Sequence, residues 1–119
     1  MARNYAVSYN PLQADEYEAY RNRLARVESS RNYNALGPTI TRKGGGTDRA
    51  YGMFQVMGAN VPAWTEQALG RPMTPFEFLR SPEAQEAVFR DQTQRNYSRY
   101  GNLQDAASVW FSGRPLAAA

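Results

Sequence analysis

From Pro82 to Tyr100 the chain runs without a glycine or a further proline, between two strong helix signals. Ser81-Pro82 puts proline at the first helical position, where a missing N–H leaves nothing unpaired. Gly101 supplies the residue that most easily takes the left-handed conformation ending a helix. A helix of this length constrains the fold class, because its apolar positions Ala84, Ala87, Val88 and Tyr97 need other elements to cover them. The neighbouring segments are punctuated in the same way. Thr74-Pro75-Phe76-Glu77 is a capping box with proline at the first helical position. Val61 to Leu69 reads as a short helix, with Pro62 in its first turn and Gly70 past its end. Asn102 caps a last helix through Ala106, Ala107, Val109, Trp110 and Phe111, with Gly113 and Pro115 as its stop.

The first long helix is expected from Leu12 to about Ser30. Tyr17, Tyr20, Leu24 and Val27 recur at spacings of three and four, one face of a 3.6-residue helix. Glu28 lies four residues after Leu24 and therefore on or beside that stripe. An unpaired charge on a buried face is costly, and the negative end of the helix dipole disfavours an anion there. Both effects raise a carboxyl pKa above its reference of roughly 4.3. A glutamate kept protonated near neutral pH suits general-acid cleavage of a glycosidic bond. The plain alternative is a surface glutamate in a fraying last turn.

Between the helices, residues 31–50 hold Asn32, Asn34, Gly37-Pro38 and Gly44-Gly45-Gly46. A structureless stretch of about twenty residues in a small domain is usually functional. Thr39-Ile40-Thr41 has the character of a very short strand within 36–50. The three glycines lie in no Walker or GxGxxG pattern and read as flexibility. Tyr51 to Met57 is a short apolar block that periodicity assigns neither to strand nor to buried helix. The expected architecture is a single all-α domain of five or six helices over residues 1–119.

Composition narrows the chemistry. The chain contains no cysteine and no histidine. That excludes disulfides, thiolate nucleophiles, Ser-His and Cys-His catalysis and the common zinc hydrolase motifs. The chemistry left for a hydrolytic or lytic enzyme is that of carboxylates, and only eleven Asp and Glu are available. The formal charge is +3, from thirteen Arg and one Lys against those acids. Arginine recognises carboxylate and phosphate bidentately. The arginines are dispersed and not clustered in a basic run, so nucleic acid ranks last among polyanionic partners. No apolar run approaches the length of a membrane span.

Three segments, in order, resemble the catalytic domain of soluble lytic transglycosylases, which have the lysozyme-like fold. Glu28-Ser29 is similar to the family's Glu-Ser at a helix end. Gly52-Met53-Phe54-Gln55-Val56-Met57 is similar to its Gly-Leu-Met-Gln-Leu-Met block. Ala106-Ala107-Ser108-Val109-Trp110-Phe111-Ser112-Gly113 is similar to its Ala-Tyr-Asn-Ala-Gly block. The resemblance covers roughly residues 12–116. Gln55-Val56-Met57-Gly58 and Trp64-Thr65 look like the wording of phage-encoded or virion-associated members.

The resemblance implies a peptidoglycan lytic transglycosylase that cleaves the β-1,4 bond between N-acetylmuramic acid and N-acetylglucosamine, leaving a 1,6-anhydro sugar. Glu28 would be the general acid and then the base, Ser29 would fix the site's geometry, and Gln55 and Met57 would line the sugar groove. The family's Tyr-Asn pair is Trp110-Phe111 here, so its tyrosine hydroxyl is missing. Trp110 is expected to face the groove near Glu28, and Tyr51 or Tyr33 to supply a hydroxyl. Asp48 looks like the acidic position of goose-type lysozymes, which hydrolyse with a second carboxylate. A hydrolytic lysozyme using Asp48 is therefore one rival, and a non-catalytic glycan-binding or virion module another. No metal and no cofactor is implied. Met1-Ala2-Arg3-Asn4-Tyr5 is followed by no apolar signal region. The expectation is action at the bacterial cell wall after delivery by a virion or lysis system, or as the N-terminal domain cut from a longer protein.

Overall fold

A computed structural model of the chain describes residues 11–112, with side chains as far as Trp110. Among the described residues there are five α-helices: α1 (Ala14–Ser29), α2 (Val61–Leu69), α3 (Pro75–Leu79), α4 (Pro82–Tyr100) and α5 (Leu103–Ser112). Two antiparallel strand pairs accompany them, β1 (Ile40–Thr41) with β2 (Thr47–Asp48) and β3 (Ala50–Tyr51) with β4 (Val56–Met57). A 3-10 turn covers Gly58–Asn60. The fold is mostly α, as the punctuation predicts.

The caps account for the helix boundaries. Thr74 accepts from the Glu77 N–H while Glu77 accepts from the Thr74 N–H, so both halves of the capping box are made. Gly70 and Gly101 each take a φ of +85° just past α2 and α4. Asn102 caps α5 through its side-chain oxygen, 2.8 Å from the Asp105 N–H. The expected stop at Gly113 and Pro115 lies outside the described residues.

The contacts divide the chain into two units, Asn22–Asp91 and a terminal unit of residues up to Arg21 and from Gln92 on. In the terminal unit Tyr17, Tyr20, Thr93 and Ala106 are buried. There the Leu12 N–H donates to the Gln94 side-chain oxygen at 3.0 Å, and Gln94 in turn donates to Ser98.

In the middle unit Phe54, Val56, Val61, Phe78, Val88 and Phe89 are buried, and the rings of Phe54 and Phe89 stack 4.0 Å apart at 6°. Such an aromatic pair adds about 0.5–1.5 kcal/mol beyond its burial. α2 packs on α3 and on the 3-10 turn, and α3 packs on β3. Thr65 joins α2 to the following loop: its hydroxyl donates to the Val61 carbonyl and accepts from the Met73 N–H. Two neighbours in α4 that the sequence reading missed, Gln85 and Phe89, belong to this core.

Two expectations are corrected. Val27 is 62% exposed, and Ala25, at 0%, is buried in its place. At about 100° per residue, a face that includes both Leu24 and Ala25 points towards Glu28 and turns Val27 into solvent. Strand structure also exceeds the one short element expected in 36–50, because the Gly-Met-Phe-Gln block is the connection of a second hairpin, β3–β4. The three glycines have a structural task in the first hairpin. Gly44, Gly45 and Gly46 all take positive φ, of 92°, 111° and 77°, closing the turn where the Arg42 N–H meets the Gly46 carbonyl and Gly45 N–H returns to Arg42.

The β3–β4 connection is fixed by one buried amide. Gln85, 1% exposed, accepts the Met53 N–H at 2.8 Å and donates to the carbonyls of Tyr33, Phe78 and Leu79. Gly52 has a φ of +86°, and a Cβ there would lie 2.3 Å from the Gln85 side-chain oxygen. Gly70 has nearly the same φ with open space around it. Gly70→Ala is therefore expected to lower stability by about 1–2 kcal/mol, the left-handed penalty alone. Gly52→Ala should add about 1–3 kcal/mol by displacing the Gln85 amide from its partners. Urea unfolding of the two variants compares these losses directly.

Candidate functional site

The C-terminal end of α1 carries the candidate acid. Glu28 is half-buried, one turn beyond Leu24 and Ala25. Burial raises its carboxyl above the ordinary carboxylate range, because a charged carboxylate loses hydration there. Ser29 follows on the same turn. Its hydroxyl donates to the Ala25 carbonyl at 3.2 Å and accepts the Asn32 N–H at 3.0 Å, so both of its bonds are spent shaping the helix end.

The chain then leaves the helix through two successive left-handed residues, Ser30 (φ 56°) and Arg31 (φ 65°). The Arg31 N–H reaches back to the Ala25 carbonyl and the Ser30 N–H to Arg26. Neither residue is a glycine, and each left-handed L-residue costs about 1–2 kcal/mol. Only one further non-glycine residue among those described has a positive φ: Gln55, at 56°. Backbone strain thus falls two and three residues after the candidate acid and on the candidate groove glutamine, a distribution common at functional sites.

Segment 32–37 ties the α1 end to the β3–β4 hairpin. The Ala35 N–H donates to Asn32, the Gly52 N–H donates to Ala35 at 2.8 Å, the Gly37 N–H donates to Ala50, and Leu36 bridges to Tyr51. Gln55 joins this network from the hairpin turn. It is half-buried, and its side-chain nitrogen donates to the Gly52 carbonyl at 2.9 Å and to Ala35 at 3.4 Å. Met57 ends β4 opposite Ala50 and is half-exposed.

The other expected residues have definite structural surroundings. Tyr51 is buried, with its ring edge-on to the 60% exposed Phe76 and close to Gly58. Asp48 spends its carboxylate on the main chain: one oxygen accepts the Arg49 N–H at 2.8 Å and the other the Ala59 N–H at 3.0 Å, which pins the 3-10 turn to β2. A Cβ on Gly58 would come within 2.6 Å of that carboxylate. Trp110 is half-buried on α5 and belongs to the terminal unit, described separately from the unit that holds Glu28. The Phe111 side chain lies outside the described residues.

Two pairings escaped the sequence reading. The Tyr33 hydroxyl donates to Glu86 in a short hydrogen bond, so this hydroxyl is committed to α4. Its partners are 53 residues apart, a separation at which no periodicity gives a signal. Arg49 Nε donates to the Gly37 carbonyl at 3.0 Å, and Gly37 also lies close to the Gln55 side-chain oxygen. Among the described residues no group of three or more His, Cys, Asp or Glu gathers as a metal site would need. No described helix is long and apolar enough to cross a membrane.

No family model, curated protein or solved structure matches this chain.

The raised carboxyl of Glu28 has a consequence for stability. A carboxyl whose folded pKa exceeds its unfolded one binds its proton more tightly in the native state, so that contribution is complete below the unfolded pKa and is lost as pH rises through the folded value. Glu28→Gln removes the titration. Its thermal stability relative to the parent is expected to rise between the unfolded and folded pKa values of Glu28, leaving the variant relatively more stable at neutral pH than at strongly acidic pH. Melting curves across that range read the difference, and a constant offset would contradict it.

Proposed function

We propose that the chain is a peptidoglycan lytic transglycosylase of lysozyme-like fold, with Glu28 as its acid and base. The observation that carries this reading is the half-buried carboxyl at the end of α1, raised by burial, on a helix that ends in two left-handed residues, Ser30 and Arg31. In the proposed reaction protonated Glu28 gives its proton to the glycosidic oxygen as the bond from the muramic anomeric carbon to that oxygen breaks. The carboxylate so formed takes the proton of the muramic 6-hydroxyl. The freed oxygen attacks the same anomeric carbon, closing the 1,6-anhydro ring and returning Glu28 to its acid form. No water enters, and no second carboxylate is required.

The hydrolytic alternative needs Asp48 to hold a water. Both Asp48 oxygens already accept main-chain N–H groups, which favours a structural use for this carboxylate. Ser29 and Gln55 support the reading through the shape of the site. Ser29 holds the helix end that presents Glu28, and Gln55 has its amide oriented by two carbonyls. The setting of such a domain is the bacterial cell wall, reached from a virion or lysis system.

Digestion of purified sacculi followed by mass spectrometry tests the proposal. The expected products are muropeptides lighter by one water than those of a hydrolase. Glu28→Gln keeps the side chain's shape but has no proton to give, and should lower lysis by about 10² to 10⁴-fold, the range that general acid–base catalysis supplies. Asp48→Asn should leave activity within a few-fold while lowering stability by about 1 kcal/mol, the worth of one hydrogen bond to the main chain. Full lysis by Glu28→Gln, or products retaining the water, would overturn the assignment. Binding of sacculi without cleavage by the parent would leave a glycan-binding module.

A further inference from the structure

Arg49 is set in place with most of its bonding capacity unused. It is half-buried, and its Nε donates to the Gly37 carbonyl at 3.0 Å. Its main-chain N–H is bound by Asp48. That carboxylate, the nearest in sequence, accepts from two main-chain N–H groups and makes no hydrogen bond to the guanidinium. The other four guanidinium N–H donors have no acceptor among the described residues. The free donors are open to solvent, and a guanidinium held by one bond presents them in a planar array that matches the geometry of a carboxylate.

The residue that anchors Arg49 also adjoins Gln55. A Cβ on Gly37 would lie 2.9 Å from the Gln55 side-chain oxygen and 3.2 Å from the Ala50 Cβ. Gln55 uses its nitrogen on the Gly52 and Ala35 carbonyls, which orients the amide and leaves its oxygen as an acceptor. Gly37 thus brings together a fixed fork of donors for an anion and a fixed acceptor for an N–H. An acylated amino acid ending in a carboxylate offers both groups, an amide N–H and a carboxylate on either side of one α-carbon.

We infer that Arg49, with Gln55, is a specificity-determining site for a peptide carboxylate. Joined to the proposed function, on which this part of the reading rests, the ligand is the carboxylate of the peptide stem borne by the glycan strand. The chain would then grip peptide-bearing strands more tightly than naked ones. Arg49 takes no part in the proton transfers of Glu28.

A direct binding measurement separates this site from the enzyme reading. The 119-residue chain is titrated with an N-acetyl dipeptide acid and, in parallel, with the same dipeptide as its C-terminal amide, while the Arg49 Nε–H and Gln55 side-chain amide signals are followed by NMR. The acid is expected to shift both signals saturably and the amide to leave them in place. Arg49→Gln should abolish the response, and Arg49→Lys should restore part of it, because it keeps the charge without the fork. Equal responses to acid and amide, or none to either, would overturn the inference whatever the lytic activity. The kinetic arm uses peptide-bearing strands and strands stripped of peptide. On the former, Arg49→Gln should raise KM by about tenfold or more, the loss of one charge-assisted contact, with kcat within about twofold. On stripped strands the variant should match the parent. Equal losses on both would mark Arg49 as a structural residue and overturn the proposal. Binding of the acid by a parent chain that cleaves neither substrate would leave the carboxylate site standing and the transglycosylase reading refuted.

Discussion

One side-chain amide holds the middle unit in register. Gln85 projects from α4 and satisfies main-chain groups from three places: the β3–β4 turn at Met53, the loop at Tyr33 and the end of α3 at Phe78 and Leu79. None of these segments is long enough to pair its own polar groups by regular structure. Each would otherwise bury unsatisfied carbonyls or an N–H, at about 1–3 kcal/mol apiece. Because a carboxamide carries two N–H donors beside its acceptor oxygen, one Gln can do what a hydroxyl, with one donor, or a carboxylate, with none, could not. The glycine at 52 is the complement of that choice, since only a residue without a side chain leaves room for the amide.

The same network sets the surroundings of the candidate acid. Glu28 lies on a regular helix, and the loop after it, carrying the strained Ser30 and Arg31, is drawn onto the β3–β4 hairpin by the hydrogen bonds of Ala35 to Gly52 and of Gly37 to Ala50. Local strain of this kind persists only where the surroundings over-determine the backbone. Ser29 over-determines it from the helix side, and Gln85 and Gln55 from the hairpin side. Asp48 does similar work one strand away by holding the 3-10 turn, which is why an acid in a glycine-rich stretch need not signal chemistry.

Helix punctuation made most of the fold legible. Thr74, Gly70, Ser81-Pro82, Gly101 and Asn102 act over three or four residues, so their meaning is contained in the local sequence. The half-buried place of Glu28 was legible for the same reason, from its distance to Leu24 along one helix. The short strands were not, because a two-residue strand has no measurable period and exists only through its partner. Gln85, the Tyr33–Glu86 bond and the Arg49–Gly37 bond were hidden more deeply, since each joins residues far apart in the chain and leaves no mark in local pattern. Val27 was misplaced by a smaller error: spacings of three and four allow two neighbouring faces, and only the burial of Ala25 decides between them.

Tyr33 is held twice by adjacent residues of one helix, its carbonyl by Gln85 and its hydroxyl by Glu86. Neither hold can slip while that turn of α4 is intact, because two attachment points fix both the place and the rotation of the residue. Opening of the 31–37 loop therefore has to break its holds on α4 as well as its bonds to the β3–β4 hairpin. Loosening the first turns of α4 would reach the loop through these two side chains, so amide exchange at residues 31–37 would rise when that end of the helix is weakened.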